Sequence, residues 1–461
     1  MAMGTRAQRE KQQELWIPRS AIVTTPAHAF YERLNSILEQ HGFDGKCEQL
    51  CRRYYKEPYG RPSLSPGVYF RMLLVGYLEG LDSERGIAWR VADSLSLRKF
   101  LGYGLEEETP DHSTLSRTRR LYAIETHGAV FQWVLKILQQ EGLIEGKRIS
   151  IDATTLEANA ALKNIMHRGT GEKYEEYLKR LAQAAGIEKP TREQLARLDR
   201  NRKKKGSNKE WKSRSDPDAR ITKMKDGRTH LAHKAEHAVD LATGALLSLT
   251  LHPADQGDTT TVWQTLQEAQ RVARRGNGQG VEEAVLDKGY YSGGVLKKLR
   301  RRKIRSYIPE PEYKHRHWQG PGKKLEQKLV YANRCRIRRA KSKRMQKLRT
   351  ELTERSFAHL YETGGMRRVY LRGKSNILKR LLLQGSAFNL SLILRKVLGA
   401  GKPRQFQGLK MLPFYWLQGI LALWWRLTLV GQLFLHQLIT NRSVGLHRNR
   451  CSQTATSTTG C

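Results

Sequence analysis

The chain has 461 residues, with 83 Lys and Arg against 44 Asp and Glu and a formal net charge of +39. That length allows two or three domains with real cores. Five cysteines (Cys47, Cys51, Cys335, Cys451, Cys461) are too few and too scattered for a disulfide scaffold, and they fit a reducing cytoplasm. So large a positive excess repels itself unless a polyanion is near, which points to nucleic acid ahead of an anionic membrane surface.

The opening residues, MAMGTRAQREKQQELW, are polar and charged without an apolar segment, which argues against a secretion signal. Residues 1–130 read as a helical N-terminal domain. LSPGVYFRMLLVGYLEG repeats its apolar positions at three and four, as an amphipathic helix does. SERGIAWRVADS opens on a Ser cap, and Pro110 and Asp111 precede a further helix. That last helix shows Ser113, Ser116, Arg117, Arg119 and Arg120, a pattern that suits either a helix-turn-helix DNA reader or a plain helical bundle. Cys47 and Cys51 stand one helical turn apart, but no second pair completes a zinc site, so they read as ordinary helix thiols.

From 145 to 400 the pattern changes to a mixed α/β sheet flanked by helices. KRISIDATTLEA alternates as a strand, and EHAVDLATGALLSLTLHPA is a hairpin turning at Thr243-Gly244. GDTTTVWQTLQEAQRVARR is a helix, with Asp258 read as its cap. EEAVLDKGYY, SGGVLKKLRRRK and IRSYIPEP follow as strand, helix and strand. Insertions at 157–229 and 311–350 interrupt this order. Both are basic, the first through Lys203, Lys204 and Lys205, and both lack the periodicity of a separate core. They read as DNA-contacting excursions. The tail 401–461 is apolar and then polar. Residues 411–435 are long enough to span a bilayer, but Arg426 near their middle favours a helix packed on protein.

Three carboxylates stand inside or just after apolar stretches: Asp152 in ISIDATTLEANA, Asp287 in AVLDKGYYSG and Glu354 in LTERSFAHL. An ionised group there is costly without a partner, and an oxygen-rich set suits Mg²⁺ or Mn²⁺. Two such ions can steady both oxygens of a phosphoryl transfer. Glu351 lies on almost the same helical face as Glu354 and is its rival. Lys288 and Tyr290, beside Asp287, are candidates for scissile-strand phosphates or for a turn that merely shapes the strand end. His237 and His252 read as structural, and Asp216 and Asp218 as local ion pairs.

Taken with PDHSTLSRTR, KAEHAVDLATGALL, HPADQGDT, ERSFAHLYETGGMRR and LRGKSNILKRLLLQGSAFNLSLILR, these segments resemble a bacterial insertion-sequence transposase of the DDE type over roughly residues 20–400. The resemblance implies an RNase H-like catalytic domain in which Asp152, Asp287 and Glu354 are the metal ligands, the Glu lying on a helix against the sheet. Where related families carry a Tyr and an Arg before this Glu and a Lys after it, this chain has Lys347, Thr350 and Tyr361. Arg355, Arg367, Arg368 and Arg372 are the candidates to take over phosphate contacts. The function implied is binding of terminal inverted repeats, metal-dependent end cleavage and strand transfer into target DNA. The protein would work as a homodimer on double-stranded DNA in the cytoplasm, on the nucleoid and away from membranes. A catalytically silent DNA-binding relic and an RNase H-like structure-specific nuclease are the competing readings.

Overall fold

The computed structural model describes residues 28–55, 63–202, 206–224, 226–312 and 318–406. Lys203, Lys204, Lys205 and the apolar stretch 411–435 lie outside the described residues. The front of the chain is helical: α1 (Ala29–Gln40), α2 (Phe43–Cys51), α3 (Pro66–Leu78), α4 (Glu84–Ala92), α5 (Leu95–Leu101), α6 (His112–Leu121) and α7 (Ile124–Gln140). Side-chain caps start several of them. Ser83 Oγ accepts from Gly86 N–H, and an Asp111 carboxylate oxygen accepts from Ser113 N–H at 3.0 Å. One expectation needs correcting: α3 is buried on nearly every side and has no solvent stripe. Its one charge, Arg71, is neutralised by Asp44 at 2.9 and 2.7 Å.

The rest of the fold is built on a mixed sheet. In chain order come β1 (Arg148–Glu157), β2 (Ile165–His167), α8 (Tyr174–Ala184), α9 (Arg192–Asn201), β3 (Trp211–Ser213), β4 (Arg220–Lys223), β5 (Thr229–Asp240) and β6 (Leu246–Pro253). They are followed by α10 (Asp258–Asn277), β7 (Glu283–Leu286), α11 (Gly293–Arg301), β8 (Arg305–Tyr307), α12 (Lys323–Ile337), α13 (Ala340–Phe357) and α14 (Lys374–Leu398). The main sheet runs β4-β5-β1-β7-β8, with β6 also on β5. β5 pairs antiparallel with β1, β4 and β6, while β1, β7 and β8 are parallel to one another. Three antiparallel strands followed by two parallel ones is the RNase H-like arrangement that the resemblance implies.

The insertions are more ordered than their composition suggests. The segment after β1 has a small core of its own: Trp211 is buried with Ile165, Ala219 and Ile221, and Tyr174 and Tyr177 pack on it at 4.8 and 5.1 Å between ring centroids. Apolar residues too sparse to show a period still gather around one indole. The described residues of 311–350 are ordered as well. They supply α12, whose Asn333 bonds Ile308 N and O on β8's exit, and the first half of α13.

α14 is the central helix of the molecule. The segment 374–405 is long and apolar enough to cross a membrane, yet 89% of its apolar window is buried inside the protein. Gly385 lets α14 approach Leu246 and Leu249 of β6 and Phe131 of α7: a Cβ there would stand 3.1–3.4 Å from all three. Asn389 caps the backbone edge of β6 by bonding both Leu246 N–H and C=O at 2.9 Å. One continuous core therefore runs from Phe30 on α1 to Leu394 on α14.

Candidate active site

The register of the parallel strands builds the site. β1 and β7 pair up to Ile151 opposite Leu286, so Asp152 and Asp287 are the next residues on neighbouring strands. Asp287 then begins the single 3₁₀ turn Lys288–Tyr290. Burial raises the Asp152 carboxyl above its ordinary value, against the Ala153 N–H and the Arg349 charge, which lower it. Arg349, on α13, spans the two acids. Its Nη1 donates to Asp152 Oδ2 at 3.0 Å, and its Nη2 lies 3.7 Å from Asp287 Oδ1.

α13 lies across the face of the sheet that carries Asp152. Thr353 Oγ1 and Ser150 Oγ are 2.7 Å apart, and Ser356 Oγ lies 3.0 Å from Nδ1 of His237, the residue opposite Asp152 on β5. Leu352 reaches the Gly244 turn, at the opposite end of the strands from the two acids. Glu354 is two residues further along α13, about 200° around the helix from Leu352. It is exposed, as is Glu351, but Glu351 is engaged by Arg355 at 2.6 Å. After α13 the chain makes a π-helical turn, Ala358–Glu362. That turn shifts the helical register between Glu354, which is exposed, and Tyr361, which is fully buried.

Among the described residues no group of three or more His, Cys, Asp or Glu side chains is placed to hold a metal ion. Two facts nevertheless fit a cation here. Asp152 and Asp287 are hard oxygen donors, and a positive group, the Arg349 guanidinium, already bridges them.

The back of the sheet holds a polar network that the sequence reading missed. Glu236 is fully buried and accepts from Thr261, Thr265 and Tyr290, the last at 2.9 Å. Lys234 donates to Asp258 and to Gln256 O. An acid in the middle of an apolar strand was the signal, the same one that marks Asp152. Two expectations are corrected here. Tyr290 is buried and serves Glu236, so its hydroxyl does not touch DNA. Asp258 makes no side-chain cap for α10, whose N-cap is Gly257; it takes Lys234 instead. At Gly289, between Lys288 and Tyr290, a Cβ would stand 2.6 Å from Asp258 Oδ2, so a side chain there would push that carboxylate aside.

The remaining candidates separate clearly. Lys288 is exposed beside Asp287, and Arg372 is exposed at the approach to α14. Arg367 reaches Thr154 Oγ1, on the Asp152 face, at 3.3 Å and also bonds Glu362; Arg368 lies 4.0 Å from Glu157. Ser113, Arg117 and Arg120 are exposed on α6, whereas Arg119 is buried against Glu84. His237 and His252 are buried and held neutral by that burial, their pKa values lowered to about 3 and about 4. Asp216 and Asp218 do not form local pairs. Asp216 bonds His233 at 2.9 Å and Gly373 N–H at 3.3 Å, and Asp218 takes Lys374 N–H at 2.9 Å, so both anchor the N-terminus of α14.

Residues 147–363 match the family model of the transposase DDE domain, and residues 19–121 match that of a transposase domain (DUF772). No curated protein matches the chain. With two transposase family models covering the front helices and the sheet that pairs Asp152 with Asp287, the chain belongs to the insertion-sequence transposases of the DDE type.

Proposed function

We propose that this transposase binds the terminal inverted repeats of an insertion sequence, cuts the DNA at those ends and joins them to target DNA. The observation that carries this reading is the side-by-side placement of Asp152 and Asp287 under the helix that bears Glu354. These three carboxylates would hold two Mg²⁺ ions, or Mn²⁺, by hard oxygen ligation. When bound, such ions supply the charge that steadies the attacking and leaving oxygens at a phosphate.

The chain's own residues do the rest. Asp152 and Asp287 are held in register by the sheet, and the Glu236–Tyr290 bond fixes the turn that carries Asp287. Arg349 neutralises the two acids and, once displaced from them, is in reach of a strand phosphate. Lys288, Arg367, Arg368 and Arg372 hold the strand, with Arg355 beside Glu351. Ser113, Arg117 and Arg120 on α6 read the repeat, and Lys203, Lys204 and Lys205 add sequence-independent affinity. Two ends must be brought together, so the working form is a homodimer on DNA, in the cytoplasm with the nucleoid.

The test is metal-dependent cleavage of terminal-repeat DNA. Asp152→Ala, Asp287→Ala and Glu354→Ala each abolish cutting while binding stays within a few-fold, because the basic surface supplies most of the affinity. Cutting that survives Glu354→Ala but not Glu351→Ala would transfer the third ligand to Glu351.

A further inference from the structure

Between α11 and α12 lies a groove of about 880 Å³ that the carboxylate site does not use. Arg300, Arg301, Lys303, Arg305, Lys328 and Arg336 rim it over an apolar floor, and among the described residues no acidic side chain lines it. Arg336 is fixed in place by Ser306, its Nε donating to the carbonyl at 3.0 Å and its Nη2 to the hydroxyl at 2.9 Å. Burial, together with the neighbouring charges of Arg305 and Arg300, pushes that guanidinium below its ordinary pKa. Arg305 lies 3.8 Å from Glu283, but that carboxylate is shared with Lys341 at 2.6 Å. Among the described residues, Glu283 is the one carboxylate within ion-pair distance of this rim of like charges.

The backbone at the rim supplies an independent observation. α11 ends in a Schellman motif, with Lys303 N–H bonded to Arg300 O and Ile304 N–H to Leu299 O, both at 3.0 Å. Lys303 thus occupies the left-handed position, φ 59°, that glycine fills at least cost. Among the described residues it is the one non-glycine with positive φ. The strained residue is thus a lysine that lines the cationic groove, where a glycine would cost less.

The groove is separate from the carboxylates. Arg305 pairs with Glu283 at the start of the two parallel strands, whereas Asp287 follows the far end of β7. That is a strand length away, roughly 13 Å. Resting on the DNA-transposase reading above, we propose that the α11–α12 groove grips the phosphate backbone of a second stretch of duplex DNA, apart from the strand at Asp152 and Asp287, without reading its sequence.

The test uses the full chain, a random-sequence duplex titrated at several salt concentrations, and thermal unfolding. Lys303→Gly relieves the strain and removes a charge, so its melting temperature rises by roughly 1–2 °C while affinity falls about two- to threefold. The slope of log affinity against log salt becomes shallower by about one. Lys303→Arg restores the affinity without the gain in melting temperature. The combined Arg300→Gln, Lys303→Gly, Lys328→Gln protein loses about tenfold or more, with a slope shallower by about three. If Lys303→Gly and the combined variant both bind like wild type, the groove is no DNA surface and Lys303 is only a strained cap. Wild-type protein that binds no DNA at all would instead overturn the transposase reading on which the groove rests.

Discussion

Two carboxylates just past the end of the β1–β7 pairing repel each other, and burial already disfavours the charged form of Asp152. The Arg349 guanidinium offsets both effects. Arg349→Ala therefore lowers the metal-free melting temperature. It also enlarges the stabilisation on adding Mg²⁺, because the ion no longer displaces a resident cation. Equal Mg²⁺-induced shifts in wild type and variant would contradict this. On the back face, Tyr290→Phe leaves the buried Glu236 short of a donor and should cost about 1–3 kcal/mol in urea unfolding. Asp216 contributes to the acid-side pH dependence. Burial raises its carboxyl, but the His233 hydrogen bond and charge and backbone N–H groups outweigh this, and the net pKa is lowered. A depressed carboxyl contributes stability above its unfolded pKa of about 3.9, and that contribution is lost as pH falls through the lower folded value. Asp216→Asn should thus be less stable at neutral pH and show a flatter loss of stability between about pH 5 and pH 2. Urea melts across that range would show it.

At the scale of elements, the insertion after β1 behaves as a small satellite fold. Its core is Trp211 with a few aliphatic neighbours, and it is joined to the main sheet through β4 on β5. Trp211→Ala removes the fully buried ring on which Tyr174 and Tyr177 pack, a loss of roughly 3–5 kcal/mol for a buried Trp. Hydrogen exchange should then rise across β2, α8 and β3 while β1, β5 and β7 keep their protection. Protection lost uniformly would mean that the insertion and the sheet unfold as one unit. α13 is a second case: Thr353 and Ser356 seat it on the sheet by hydroxyl contacts, and the π-helical turn after it releases Tyr361 into the core beside His237.

For the whole molecule, the front helices and the sheet share a core through α14. Lys379 of α14 donates to Arg119 O on α6, and Arg380 donates to Leu81 O after α3. A fragment ending near residue 140 would expose the α14-facing sides of α3 and α7. It should show helical circular dichroism without a cooperative thermal transition. End recognition by α6 is therefore best tested in the full chain. Arg117→Ala and Arg120→Ala should narrow the preference for terminal-repeat over random duplex by roughly 1–3 kcal/mol per lost base contact, and leave nicking of pre-bound DNA intact. Unchanged preference would move recognition elsewhere.

Periodicity and punctuation alone determined much of this protein. Local patterns mark β1, the Thr243-Gly244 hairpin, α10, β7, α11 and β8 because each buries one face or is bounded by its own cap or turn. Asp152 and Asp287 were legible because an acid among apolar residues needs a reason to be there. Glu354 was favoured over Glu351 only by its ERSF context. Tertiary structure decided what depends on residues far apart in sequence. Arg349 lies 197 positions from Asp152, and nothing in KLRTELTER tells that arginine from its exposed basic neighbours. Tyr290 looked available beside Asp287 until the distant Glu236 claimed its hydroxyl. The insertions looked coreless because a core assembled from single residues of several short segments leaves no period in any one of them. Burial and charge pairing are properties of neighbours in space, and the chain order records them only where those neighbours are also close in sequence.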